Sequence, residues 1–192
     1  MTTYPILFST PMVLAILEGR KTMTRIIVKP NPRISSDPSR VGEVIKALCM
    51  YDACPYGHQG DVLWVKETCC KWPDTKAKVC STNGYVYKTQ THCDPYGWEI
   101  TMKEMGIKWK PSIYMPKDAC RIFLKITDIH VERLQDITVE DTVKEGIDVF
   151  ADIITLADFA ALWAKINGPD SWDSNPWVWV ISFERCEKPE NF

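Results

Sequence analysis

The chain has 192 residues, of which 45% are hydrophobic and 25% charged, and its formal net charge is −2. This length and composition are typical of one globular domain, and the small net charge argues against a broad phosphate-binding surface. No apolar run approaches the roughly 18 residues of a membrane helix. The N-terminal MTTYPILFSTP has neither a basic leader nor a small-residue cleavage site. We therefore expect a cytoplasmic protein with no signal peptide and no membrane partner.

The first third of the chain predicts a helix between strands. YPILFS and MTRIIV have the short apolar pattern of strands. Between them, Thr10 and Pro11 are typical of a helix start, with Thr10 as the N-cap, and Gly19 is typical of a helix end. The predicted buried face of this helix is Val13, Leu14, Ile16 and Leu17. KPNPRISSDPS is a proline-rich loop, and Gly60 introduces a compact strand in DVLWV.

Three more strands and an irregular stretch are predicted after residue 68. Residues 69–118 are punctuated by proline and glycine, and we interpret them as an irregular insertion with one strand in GYVYK. CRIFLKITDIHVERL is the longest predicted strand, and NPWVWVISFE is a closing strand rich in aromatic and β-branched residues.

Two further helices have clear start signals. Thr138 and Asp141 have the spacing of a capping box at the start of TVEDTVKEG, and Gly146 ends that helix. Thr155 and Asp158 have the same spacing at the start of TLADFAALWAKING. Helices among strands without strict βαβ alternation predict a single α+β domain over residues 1–192, built around a small β-barrel or curled sheet with flanking helices.

The eight cysteines are expected to be free thiols, because no signal peptide directs the chain to an oxidising compartment. A zinc site could draw on Cys49, Cys54, His58, Cys80, His92 and Cys93. None of these has the CxxC spacing that makes a zinc prediction strong. We therefore predict no metal and no cofactor.

The segment GRKTMTRI, residues 19–26, places three cations and two hydroxyls at the end of the first helix. Two interpretations are open. Cations are favoured at a helix C-terminus by the helix dipole, so Arg20 and Lys21 could simply lie on the surface. Alternatively, the segment lines a pocket for a polar or anionic ligand, with Lys21 and Thr24 taking part in chemistry.

Five segments together resemble the ASCH domain family, a branch of the PUA-like superfamily, in the longer form found in phage and prophage genomes. They are PILFSTPMVLAILEGRKTMTRI, PYGHQGDVLWVKET, WKPSIYMPKDACRIFLKITDIHVERLQDIT, FAALWAKING and NPWVWVISFE. The resemblance covers nearly the whole chain in order and is weakest at residues 69–110. It implies a small PUA-like β-barrel that binds RNA or nucleotides in a cleft beside its first helix.

The resemblance also implies a catalytic set. Short bacterial ASCH enzymes remove the acetyl group of N4-acetylcytidine with a lysine, a threonine and a glutamate. The first two correspond to Lys21 and Thr24, and the glutamate, after LQDITVEDTVKEG is matched without gaps, corresponds to Glu145. Glu145 also needs an explanation of its own, because a carboxylate near the end of a short helix is unfavourable with the dipole.

These residue types suit amide hydrolysis, which needs a nucleophile, a base and an acid. Thr24 would supply the nucleophilic hydroxyl. Lys21 would act as base if burial or the neighbouring Arg20 and Arg25 favour its neutral amine. Glu145 would protonate the leaving amine or orient water. Because positions three apart face opposite sides of a straight strand, Lys21 and Thr24 converge only if the chain turns at the helix exit.

The predicted ligand-binding residues are Arg20, Arg25, Trp64, Lys66 and Glu67. Either Trp64 or Trp177 could be a stacking face for a base. The predicted partner is a nucleoside, a nucleotide or single-stranded RNA. Hydrolysis of an amide on a modified cytidine is the leading activity. Two alternatives remain: an RNA- or nucleotide-binding phage module without turnover, for instance in counter-defence, and a metal-independent ribonuclease, which would weaken steeply with salt.

Overall fold

The computed structural model describes residues 1–28, 54–72, 84–93, 102–104, 106–147 and 156–192. The predicted loop KPNPRISSDPS and the predicted cap residue Thr155 lie outside this part of the chain. The longest helix in the described ranges has 12 residues, and none of those helices combines the length and the apolar character needed to cross a bilayer.

Strands and helices follow the predicted order along the chain. The strands are β1 (Thr3–Leu7), β2 (Met23–Ile27), β3 (Val62–Lys66), β4 (Cys69–Lys71), β5 (Tyr85–Tyr87), β6 (Phe123–Arg133) and β7 (Trp177–Cys186). The α-helices are α1 (Thr10–Leu17), α2 (Val139–Lys144) and α3 (Leu156–Asn167). Short 3₁₀ helices cover Lys88–Cys93, Ser112–Tyr114, Lys117–Ala119, Leu134–Asp136 and Pro169–Ser171.

Five of the strands form one mixed sheet in the order β1-β3-β6-β7-β2. β1 and β3 are parallel, whereas the other neighbouring pairs are antiparallel. β4 and β5 form a separate antiparallel pair. The α+β class is therefore confirmed. Among the described strands, β1 and β2 stand at opposite edges of the sheet and do not pair with each other, so the predicted closed PUA-like barrel is not confirmed.

The inner strand β7 has apolar side chains on both faces, and they enter two separate cores. Trp179, Ile181 and Phe183 pack in the core that also contains residues of α1. Val178 and Val180 pack instead with residues of α3. This two-sided burial is the reason that the strand is a nearly continuous run of β-branched and aromatic residues.

The helix ends agree closely with the sequence signals. The N-cap of α1 is Ser9, one residue before the predicted Thr10, because Thr10 already has helical geometry ahead of Pro11. In α2 the predicted capping box is confirmed: the Thr138 hydroxyl accepts a hydrogen bond from the Asp141 N–H at 3.2 Å, and the Asp141 carboxylate accepts one from the Thr138 N–H at 3.5 Å. The capping residues therefore fix where α2 starts.

The predicted insertion at 69–118 contains more regular structure than its composition indicates. The strand predicted in GYVYK is confirmed as β5, and the sequence analysis missed its partner β4. Tyr87 and Met115 from this stretch pack in a core with Val62 and Phe123 of the large sheet. The stretch therefore covers the outer side of β3 and β6.

Candidate active site

Lys21 follows closely on the end of α1, and the backbone turns its side chain inward. Gly19 adopts φ +76°, and the N–H groups of Arg20 and Lys21 both donate to the carbonyl oxygen of Ala15, at 2.8 and 3.0 Å. This tight exit turns the chain before β2 begins. Lys21 is 2% exposed, so the interpretation of Lys21 as a surface cation is wrong.

Glu145 forms the C-cap of α2 and reaches Lys21 through the backbone as well as the side chain. Lys21 and Glu145 form an isolated antiparallel bridge, and the Thr22 N–H donates to the carbonyl of Lys144 at 2.8 Å. Next to this bridge, Gly146 adopts φ +77°, and a Cβ atom at Gly146 would lie 2.6 Å from the Cβ of Lys21. The close approach of the two segments therefore depends on glycine.

The buried ammonium of Lys21 uses all three of its N–H donors on protein acceptors. Nζ donates to the carboxylate Oε2 of Glu145 at 2.7 Å, to the backbone carbonyl of Glu145 at 2.9 Å, and to the carbonyl of Met23 at 2.9 Å. Nζ also lies 5.6 Å from the centroid of the Phe8 ring, a cation–π distance. The buried charge is therefore both paired and hydrogen-bonded, as burial of a cation requires.

A cleft of about 320 Å³ lies beside this ion pair. Three of its lining residues, Thr24, Arg25 and Glu145, are polar or charged and are buried, each 6% exposed. The cleft is lined by residues of both edge strands and of α3: Ile6, Leu7, Phe8, Ser9, Met12, Thr24, Arg25, Ile26, Ile27, Tyr56, Glu145, Phe159, Leu162, Trp163, Ile166 and Asn167. Within the described residues, the Thr24 side chain takes no part in the hydrogen bonds of Lys21 and Glu145. Its hydroxyl is therefore not committed to this ion pair.

Arg25 connects the Glu145 carboxylate to two further acidic residues. Its Nη1 donates to Oε1 of Glu145 at 3.3 Å, and its Nη2 donates to Oδ2 of Asp141 at 3.0 Å. Its Nε donates to Oε1 of Glu132 at 2.9 Å, and Nη2 lies 2.7 Å from the same oxygen. The Arg25 side chain is 1% exposed, so this contact set lies inside the protein.

The charge of Arg25 also acts on Asp141. Burial by itself raises the pKa of Asp141, but the Arg25 guanidinium and the hydrogen bonds from Lys144 and Thr138 outweigh burial and bring the pKa below its ordinary value. Asp141 is therefore a carboxylate at neutral pH and balances part of the Arg25 charge.

Three of the predicted ligand-binding residues, Arg20, Trp64 and Lys66, are not among the described residues that line the cleft. Each contacts another part of the protein. Arg20 pairs with Glu18 and donates from Nη1 to the carbonyl of Gly146 at 3.1 Å. Trp64 packs edge-on against the ring of Phe192, with the ring centroids 5.9 Å apart. Lys66 donates to a backbone carbonyl at 2.6 Å and lies over the Trp64 ring. Their predicted roles in ligand binding stay predictions.

Glu67 belongs to a second buried cluster behind β3 and β4. It is 1% exposed, and Arg121 binds it with two hydrogen bonds, from Nε at 2.8 Å and from Nη2 at 3.0 Å. Thr89 donates to the same carboxylate at 3.0 Å, and the guanidinium of Arg121 lies over the ring of Tyr87. This cluster holds β5 and the following 3₁₀ helix against the large sheet. Glu67 is not among the described residues that line the cleft.

The structure bears on part of the possible zinc ligand set. Cys54 is buried and takes part in no disulfide bond. Cys49 and Cys80 lie outside the described ranges, as do the side chains of His92 and Cys93. Among the described side chains, no group of three or more histidine, cysteine or acidic residues is arranged to hold a metal ion.

Two parts of the site have no clear signal in the sequence. Phe159 and Trp163 line the cleft from α3, and their spacing of four residues indicates only that they share a buried helix face. Glu132 and Asp141 complete the contacts of Arg25 across 107 and 116 positions of sequence. No local pattern marks such distant partners.

The protein is therefore an α+β protein in which a buried lysine–glutamate–arginine cluster lies between the mixed sheet and α2, beside a cleft lined mostly by apolar residues. No family model matches the chain, and neither a curated protein nor a solved structure matches it.

Proposed function

We propose that this protein is an ASCH-like hydrolase, related to the PUA-like proteins, that removes the acyl group from the exocyclic nitrogen of a modified cytidine. N4-acetylcytidine is the candidate substrate. One observation carries the proposal: Thr24 and Glu145 line the same cleft, and Lys21 binds the Glu145 carboxylate at 2.7 Å from 124 positions away in the sequence. These are the three residues to which the family resemblance assigns the reaction.

The walls of the cleft suit a nucleobase. Its volume of about 320 Å³ is at the small end of the range for small-molecule sites. Phe8, Phe159 and Trp163 offer aromatic surface for a planar ring. β2 is an edge strand, so backbone donors and acceptors on its outer side can bind the edge of a base.

The charges at the cleft favour an uncharged amide over a phosphate chain. Arg25 is the cation among the described lining residues, and it already contacts Glu132, Asp141 and Glu145. A ribonuclease would instead need cations available for the phosphates of RNA. This is why we prefer amide hydrolysis to the ribonuclease alternative.

The contacts also suggest how the roles are divided. Because the Lys21 ammonium donates all its N–H groups, we assign it the role of holding and balancing the Glu145 carboxylate. Thr24 attacks the acetyl carbonyl carbon while Glu145 takes the hydroxyl proton. The C–N bond then breaks, the proton passes to the departing cytidine nitrogen, and the acetyl group remains as an ester on Thr24. Water hydrolyses that ester to acetate and restores the hydroxyl.

The test is to incubate the purified protein with N4-acetylcytidine and to separate cytidine and acetate by chromatography. Thr24→Val removes the hydroxyl at nearly constant volume and keeps a β-branched side chain in β2, whereas Thr24→Ser keeps the hydroxyl and is the matched control. We expect a loss of at least about 100-fold in kcat for Thr24→Val and less than about tenfold for Thr24→Ser.

Two results would contradict the proposal. The first is no release of cytidine by the parent protein when circular dichroism shows that it is folded. The second is equal rates for Thr24→Val and Thr24→Ser, which would remove Thr24 as the nucleophile. If the parent protein binds cytidine or RNA without releasing product, the non-catalytic binding module takes the place of the enzyme.

A further inference from the structure

We infer that Arg25 is a positioning residue that fixes the orientation of the Glu145 carboxylate, and that Glu132 and Asp141 fix Arg25 in turn. The inference rests on the proposed function and adds to it a residue that the Lys/Thr/Glu set does not contain. In this view the guanidinium of Arg25 orients Glu145 and does not contact the ligand itself.

The Glu145 carboxylate is held by one cation on each of its two oxygens. Lys21 binds carboxylate oxygen Oε2 at 2.7 Å, and Arg25 binds the other oxygen, Oε1, at 3.3 Å. Each oxygen therefore has its own cation, and rotation of the carboxylate plane would break both contacts. The Glu145 side chain is 6% exposed, so water does not readily replace a lost partner.

Arg25 can hold this position because it is anchored to two other elements. Its Nε and Nη2 contact Glu132 in β6, and its Nη2 also contacts Asp141 in the first turn of α2. The third nitrogen, Nη1, donates to Glu145 at the end of the same helix and to the sulfur of Met23. Arg25 therefore ties both ends of α2 to the sheet.

These contacts need arginine and not merely a positive charge. They use all three guanidinium nitrogens, which diverge in one plane toward three carboxylates. A lysine at this position places one compact ammonium at the end of a flexible chain, so it cannot span all three acceptors. Arg25→Lys therefore keeps the positive charge but loses the simultaneous contacts with the three carboxylates.

The experiment compares kcat and KM for N4-acetylcytidine in the parent protein, Arg25→Lys and a matched control, Arg121→Lys. Arg121 is a second arginine that binds a buried glutamate, Glu67, with two hydrogen bonds, and it is not among the described residues that line the cleft. For Arg25→Lys we expect kcat to fall about 30-fold with KM within about threefold of the parent value, because a displaced carboxylate slows chemistry more than binding. Arg121→Lys should change neither constant for the folded protein.

Other outcomes overturn the inference in distinct ways. A rise in KM at constant kcat would mean that Arg25 contacts the ligand, and two unchanged constants would mean that it has only a structural role. If Arg25→Lys does not fold, Glu132→Gln replaces it: a fall in kcat of about threefold to tenfold at constant KM is expected, and an unchanged kcat overturns the inference. An inactive parent protein removes the proposed function, and the inference with it. An active parent with an unaffected Arg25→Lys removes the inference alone.

Discussion

Gly146 and Gly19 provide a matched test of the close contact that brings Glu145 to Lys21. Both adopt nearly the same left-handed backbone conformation, with φ of +77° and +76°. They differ in their surroundings. A Cβ atom at Gly146 would lie 2.6 Å from the Cβ of Lys21 and 2.9 Å from the Cβ of Ala15, whereas one at Gly19 would have no atom within 4 Å. Alanine at each position therefore separates backbone strain from steric overlap.

The expected loss of unfolding free energy has two contributions, the backbone strain of a left-handed alanine and the steric overlap of its Cβ atom. A left-handed alanine costs about 1–2 kcal/mol relative to glycine, and this is the whole expected effect of Gly19→Ala. In Gly146→Ala the overlap involves Cβ atoms close to the main chain, which a change of rotamer does not relieve. Overpacking of this kind adds about 1–3 kcal/mol. We therefore expect Gly146→Ala to lose about 2–5 kcal/mol of unfolding free energy in total.

The assay is urea unfolding followed by circular dichroism and tryptophan fluorescence, with both variants and the parent measured together. For the folded fraction, Gly146→Ala should also lose the proposed hydrolysis of N4-acetylcytidine, because it displaces Lys21, whereas Gly19→Ala should keep most of it. Equal destabilisation of the two variants would refute the argument, because it would mean that the chain around Lys21 relaxes freely and that the tight packing is not needed.

Two further predictions concern protonation. The folded-state pKa of Asp141 is lowered, so its stabilisation is present above the ordinary value of 3.8 and is lost as pH falls through the folded-state value. Asp141→Asn should therefore cost about 1–2 kcal/mol near pH 7, and in urea titrations this difference should shrink as pH falls; a difference independent of pH would contradict the assignment. Burial raises the pKa of Cys69 and of Cys120 to about 11, so iodoacetamide near pH 8 should alkylate both at least about 100-fold more slowly in the native protein than in the urea-unfolded chain. Peptide mass spectrometry measures the two sites separately, and equal rates would show that these thiols are accessible.

Most of the described fold follows from local patterns in the sequence. A few neighbouring residues are enough to recognise the strands, the proline in the first helical turn and the Thr138–Asp141 capping box. The interactions that produce these features, such as the capping hydrogen bonds, join residues close in sequence. β4 was missed for the same reason. Cys69, Cys70 and Lys71 form a strand too short to show alternation, and it exists because β5 pairs with it.

The candidate site was only partly predictable. The position of Lys21 at a helix exit allowed two interpretations. The carbonyl of Ala15 accepts two N–H groups and turns the chain inward, and the resulting burial of Lys21 excludes the surface interpretation. Glu145 came from the family resemblance and from its unfavourable position at a helix end. Its partners Lys21 and Arg25 explain that position, since two buried cations outweigh the helix dipole. The acidic partners of Arg25 depend on how β6 and α2 pack, which no short segment encodes.

In the described part of the chain, the order of the strands in the large sheet explains where the cleft lies. The cleft is lined by the end of β1, at Ile6 and Leu7, and by β2, at Thr24 through Ile27. β1 and β2 are the edge strands of the five-stranded sheet. Direct pairing of these edges would consume their backbone groups and leave no room for a ligand. Residues of α3 contribute to the lining instead, and β2 borders the cleft beside the buried charge cluster. This arrangement of the described strands lets β2 place Thr24 at the cleft and Arg25 against Glu145.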